Sequence, residues 1–421
     1  MKKINKMALP ALLCASLVLS SCAPPVATGE VQEHNVLHWE IVREVGCESE
    51  GYRFGLCIDC KSEVRDVMEP LGHYWRGGAC VRCGAEDPLK GESEGIQSLE
   101  FELDEEENGY VITKCGEYTG KILVLPSEYN GKPVYKIGDG VFAENGHIEE
   151  LVIPDSVRYI GNGAFRACTG LKKIAFGKNV ASIGGSAFEG CTGISEITLP
   201  DALKSFGSFC FRGCENLETV KAFGVEKIGT DAFRNCTSLY EFYFPHTLKT
   251  IGEYAFHNTS LAEANLPEGV TTVGARAFSC SSVRSAVIPA SLEKVGACIF
   301  EGCSELRSAT VKSDKIVNEF ENCAKLEFLE FSADVKSLHR RSLCYCATVT
   351  TVFLSRETET LDGALMMFPS LTFISYTGTA SEFAAIDGGE HLLSLPFSAV
   401  IVCSDKNTTC GELLRSPGSG Q

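Results

Sequence analysis

The sequence predicts a strand-rich solenoid of stacked coils, with a small cysteine-rich module in front of it. Three observations carry that prediction. A phenylalanine returns every 22 or 23 residues, at Phe142, Phe165, Phe188, Phe211, Phe233, Phe256, Phe278 and Phe300. A glycine keeps the same beat four residues earlier, at Gly138, Gly161, Gly184, Gly207, Gly229, Gly252, Gly274 and Gly296. Within each period an apolar 1-4-6 pattern recurs, clearest in Ile194, Ile197 and Leu199. A fixed period of this length means coils that bury their upper and lower faces against one another.

At 421 residues the chain would suggest two or three domains, but a solenoid can run as one long domain. A hydrophobic content of 44% is ample for a core, and a net charge of −17 argues against nucleic acid, which requires a basic surface. Lys2, Lys3 and Lys6 form a basic start, followed by an apolar run from Met7 to Leu19. That run is short for a membrane span and suits a signal peptide. Leu19-Ser20-Ser21-Cys22 then resembles the lipobox of bacterial lipoproteins. The resemblance implies cleavage before Cys22, leaving residues 1–21 as signal peptide, and covalent lipid on the Cys22 thiol. Attachment to the membrane would be through that lipid only. An ordinary secretory signal with an incidental Cys22 also fits these residues. Residues 22–33 read as a tether.

Residues 34–90 form the cysteine-rich module. Cys57-Ile-Asp-Cys60 and Cys80-Val-Arg-Cys83 are two Cys-x-x-C knuckles, which together supply the four ligands of a tetrahedral structural zinc. His38, Cys47 and His73 are alternates for one ligand place. Disulfides are the competing reading outside the cytoplasm, although the five cysteines here cannot all pair. A module this small needs some such staple to fold. The run from His38-Trp39 to Cys83-Gly84 resembles a zinc-ribbon-like unit of bacterial surface proteins.

Residues 91–109 read as an acidic junction, and 110–147 as a cap and first coil. From 148 to 376 the 1-4-6 pattern gives eleven strands, from Ile148/Leu151/Ile153 to Leu371/Ile374/Tyr376. This is the strand signature of a leucine-rich-repeat solenoid. Pro154, Pro200, Pro245, Pro267 and Pro289 stop the strands, having no N–H to continue the pairing. The glycine ladder is expected where φ must be positive. Ala-Phe pairs such as Ala164-Phe165 set a small residue beside a large one, so that coils interdigitate. The run Ile153-Pro154, Val157, Ile160-Gly161, Ala164-Phe165 and Cys168 resembles the BspA-type leucine-rich repeats of bacterial surface proteins. That resemblance implies an α/β-type leucine-rich-repeat solenoid with short helical or irregular turns. The period weakens after Phe300. Tyr376 to Ile386 resembles the family's closing segment, within a C-terminal cap at 377–414, and 415–421 reads as a disordered tail.

A cysteine column follows the phenylalanines at Cys168, Cys191, Cys214, Cys236, Cys303, Cys323 and Cys346, with Thr259 and Ser281 in the same places. Disulfides or metal would be functional readings. Replacement by Thr and Ser favours small side chains packed between coils. Residues between the strand anchors should face outward along one sheet: Lys172, Lys173, Glu196, Glu218, Lys221, Tyr240, Glu241, Tyr243, Glu263, Asn265, Arg284 and Arg307. Repeated lateral faces are where solenoids bind partners, and exposed tyrosines favour such patches. Catalysis finds no motif: there is no G-x-S-x-G, no phosphate loop and no H-E-x-x-H. The histidines fall at unrelated phases, with His246 and His257 expected at the surface. The resemblance implies a non-catalytic surface protein that binds host or neighbouring-cell surface proteins. The alternative is an envelope scaffold without host contact.

Overall fold

The computed structural model describes residues 98–315, 320–332, 334–338, 347–361, 364–386, 399–409 and 412–413, with 366 and 367 by backbone alone. It also describes the backbone of five strands nearer the N-terminus. The chain divides into two units, Met1–Lys90 and Gly91–Gln421. In the first, Val36–Arg43, Gly51–Cys57 and Glu63–Met68 form an antiparallel sheet, and Trp75–Arg76 pairs with Ala79–Cys80. His38, Cys57 and Cys80 lie on these strands. The side chains of all the expected zinc ligands lie outside the described residues, as do Cys47, Cys60, His73, Cys83 and the Cys22 region.

The second unit is a solenoid built on two ladders of parallel strands. One comprises the 1-4-6 strands, such as Glu196–Thr198, which pairs with Thr219–Lys221 in register. In each, the middle residue points inward (Ile197 is 2% exposed) and its neighbours point out. The other ladder comprises two-residue strands just before the ladder glycines, from Tyr159–Ile160 to Lys294–Val295. Strand pairing in the first ladder is interrupted twice, after Lys173–Ala175 and after Glu241–Phe242.

The phenylalanines lie between the ladders, fully buried. Neighbouring rings stack nearly parallel, with centroids 5.0–5.4 Å apart from Phe142 through Phe300. Each ring thus contacts its own kind above and below, and burial of each contributes roughly 1.5–3 kcal/mol. Around each ring every second N–H donates to the next coil. Gly163 donates to Gly185, Phe165 to Ala187 and Ala167 to Glu189, at 2.7–2.8 Å.

Three expectations change here. The ladder glycines do not adopt positive φ. Instead, a Cβ at Gly207 would lie 2.4 Å from the backbone of Gly184 and Gly185, and one at Gly274 2.3 Å from the Glu253 nitrogen. Glycine is required because the preceding coil occupies the side-chain space. Positive φ falls two residues before and two after each phenylalanine, at positions as varied as Phe209, Tyr254, Arg276 and Asn235.

The α/β class also gives way, to a solenoid with strands on both legs. Among the described residues the α-helical content is the five-residue Ala380–Ala384, closed at its N-terminus by a reciprocal Thr379–Glu382 capping box, and the pair 412–413. A return leg spent on a two-residue strand and the phenylalanine turn is too short for a helix.

All eleven expected strands form, from Glu150–Val152 to Phe373–Tyr376, and the ladder extends by a strand at each end. Ile122–Val124 pairs in register with Glu150–Val152, and Val400–Val402 with Phe373–Tyr376. Finally, the phenylalanine stack continues one ring past Phe300, to Phe320 at 5.8 Å. Among the described residues the regular strands of the second ladder run as far as Lys294–Val295, just before Gly296, and an isolated parallel bridge joins Ser337 to Thr360 further on.

Candidate protein-binding face

The outward positions of the 1-4-6 strands share one face, because the repeat returns the same position at each coil and the strands pair in parallel register within each of three sheets. All twelve residues expected on this face are exposed. The structure separates them by their partners.

In the earlier coils, charges are satisfied across coils. Glu149 accepts from Lys121 at 2.7 Å and Lys172 at 2.8 Å, and Lys173 reaches Glu150 at 3.3 Å. Lys221 bonds Glu196 at 2.9 Å. The two lysines hold the Glu149 carboxyl down at about 2. These pairs are solvated, so each contributes little to stability.

Further along, the charges stand open. Among the described residues no ion pair is made by Glu218, Glu241, Arg284 or Arg307. Glu263 accepts a hydrogen bond from Asn265 at 2.8 Å. Glu305 lies within electrostatic reach of both Arg284 and Arg307 but is bonded to Lys325. Amid these charges Tyr240 and Tyr243 are 52% and 54% exposed. The Tyr243 ring meets Phe223 at 5.4 Å. Phe223 was not anticipated; the available signal was a phenylalanine directly after Ala222, where Ile153 and Leu199 are followed by proline.

The described part of the cysteine column is structural, and Cys346 lies outside the described residues. Cys168, Cys191, Cys214, Cys236, Cys303 and Cys323 are buried, and each thiol donates to the phenylalanine carbonyl of the preceding coil at 3.0–3.2 Å. Thr259 instead bonds Phe256 of its own coil. Burial pushes the thiols up, Cys168 to about 12 and Cys303 to about 11, which keeps them protonated donors. Among the described residues no group of His, Cys, Asp or Glu side chains is arranged to hold a metal ion. His257, expected at the surface, is half-buried and bonds Ser279 at 2.7 Å. Burial, with Arg234 beside it, holds its imidazole below the usual range. His246 is exposed as expected. No described helix is long and apolar enough to cross a membrane.

The model of the BspA type leucine rich repeat region matches residues 135–224, 221–318 and 317–385, more than half of the chain. No curated protein matches. Among solved structures, a leucine rich cell surface protein from Faecalibacterium prausnitzii A2-165 is 23% identical, covering 69% of this chain and 96% of its own, at a TM-score of 0.40. A leucine rich repeat protein of T. pallidum is 25% identical, covering 50% of this chain and 89% of its own, at 0.40. The pneumococcal vaccine antigen PcpA is 15% identical, covering 87% of this chain and 98% of its own, at 0.32. None of these likenesses reaches a TM-score of 0.5.

Proposed function

This chain belongs to the BspA-type leucine-rich-repeat family, and from that premise we propose that it is a non-catalytic, lipid-anchored protein of the bacterial surface whose strand face binds host or neighbouring-cell surface proteins. The observation that carries the reading is the open stretch of that face, where two exposed tyrosines stand among charges that make no ion pair among the described residues. Exposed aromatic and arginine residues are the types that dominate protein interfaces. A solenoid also gives a laterally extended surface without a deep cleft for chemistry.

The anchor rests on the lipobox at Leu19–Cys22. One structural zinc held by Cys57, Cys60, Cys80 and Cys83 rests on their Cys-x-x-C spacing. Metal analysis of the purified full chain, before and after chelation, tests the zinc: one equivalent is expected, and a folded chain with none contradicts it. Protease treatment of intact cells tests the address. Surface display predicts cleavage without cell lysis. Protection until lysis would favour an internal envelope scaffold instead.

A further inference from the structure

The outermost column of the open stretch reads Glu218, Tyr240, Ala262, Arg284, Arg307, one residue from each of five successive coils. Each is the residue directly after its first strand anchor, so the column runs straight along the face. Coils here repeat at the 5.3–5.4 Å of their stacked phenylalanines. The column is therefore evenly spaced, with a small side chain at its centre. Its chemistry changes in one direction along the column: acid, aromatic, alanine, base, base.

A two-fold axis lying in the plane between two such faces, perpendicular to the column and passing over Ala262, sets the column against its own copy in reverse order with complementary chemistry. Glu218 of one chain falls opposite Arg307 of the other, and Tyr240 falls opposite Arg284. The first pairing is an ion pair and the second a cation–π contact. Ala262 meets Ala262, and the exposed Glu263 beside each falls on the same axis, so that two carboxylates oppose one another at the centre and hold the contact weak. An isologous interface requires this self-complementarity, residue i meeting j while j meets i. The same four side chains have no ion pair within their own chain among the described residues, whereas charges in the earlier coils are paired across coils.

We propose that this column is a homophilic contact, and that the partner of the open strand face is a second copy of this chain in antiparallel orientation. The inference rests on the recognition role proposed above and names its partner. The net charge of −17 on each chain opposes association at long range. The contact is accordingly reversible, and moderate salt, by screening that repulsion, does not abolish it.

Sedimentation velocity of the full chain, from low to high micromolar concentration, tests the inference by charge reversal. The wild type should show a reversible monomer–dimer equilibrium. Glu218→Arg alone and Arg307→Glu alone should each weaken it by roughly a hundredfold, because each places like charges opposite one another twice. An equimolar mixture of the two variants should restore the dimer, since both contacts are then complementary. Tyr240→Ala should weaken it roughly five- to tenfold. All three positions are exposed, so the variants keep the fold, which thermal unfolding verifies. A wild type that stays monomeric, a dimer indifferent to both reversals, or a mixture that fails to restore it would each overturn the inference. A monomeric chain that still captures other cell-surface proteins overturns this contact alone and leaves the proposed function standing.

Discussion

Two stretches of one strand face, built on the same backbone, treat their charges oppositely. In the coils carrying Glu149, Lys172, Glu196 and Lys221, opposite charges face each other across neighbouring coils and bond. Along Glu218, Tyr240, Glu241, Arg284 and Arg307 no such bond forms among the described residues; Glu305, within electrostatic reach of both arginines, is bonded to Lys325 instead. Beneath both runs the same stack of phenylalanines with the same glycine contacts, the thiol–carbonyl column giving way to Thr259 and Ser281 only under the open one. The repeat therefore fixes a neutral frame, and the spacing of charges along it decides whether a stretch is satisfied alone or waits for a partner.

The largest expected effects probe the shared frame. Phe165→Ala under the paired stretch and Phe256→Ala under the open one should each cost about 3–5 kcal/mol in chemical unfolding. Costs that differ widely would show that the two stretches differ inside as well as outside. Gly184→Ala and Gly252→Ala should each cost about 1–3 kcal/mol, since the added methyl meets the neighbouring coil's backbone at 2.7 Å and 2.5 Å. Thermal unfolding that leaves either variant unchanged would remove the close-packing explanation of the glycine ladder.

Acid separates the stretches more gently. The Glu149 carboxyl is depressed to about 2, so its contribution is present above the ordinary carboxylate range and fades as pH falls toward 2. Stability between pH 5 and pH 2 should fall more steeply in the wild type than in Glu149→Gln. Parallel curves for the two would deny the paired stretch its internal satisfaction. The smallest stability effect belongs to Tyr243→Ala, within about 0.5 kcal/mol, because the side chain is half in solvent. A larger loss in thermal unfolding would make Tyr243 part of the frame.

Much of the frame was legible in the sequence, because a buried column repeats one residue type wherever the geometry is the same. Phe142 to Phe300, the strand anchors and the inward cysteines all follow that rule. The reason for the glycines was not legible: positive φ and close approach both demand glycine, and only the structure shows the coil above filling the Cβ site. The left-handed turns escaped for the opposite reason. Phe209, Tyr254 and Arg276 adopt them under a tertiary constraint, the alternate donation of N–H groups to the next coil, which leaves no mark on residue type. The strands at the ends were hidden because Ile122–Val124 and Val400–Val402 lack the leading anchor of the pattern. At the face, exposure followed from phase alone. Which charges pair depends on side-chain reach between coils, and so Lys172 and Arg284 looked alike until their neighbours were placed.

The central claim is that the open stretch, and not the face as a whole, performs recognition. The direct measurement is binding of the purified full chain to intact host and neighbouring bacterial cells. It compares the wild type with two variants of equal charge change: Glu218→Gln with Arg307→Gln in the open stretch, and Glu149→Gln with Lys172→Gln in the paired one. Loss of binding in the first variant and retention in the second is the predicted result. Equal retention, or equal loss, in both would contradict it.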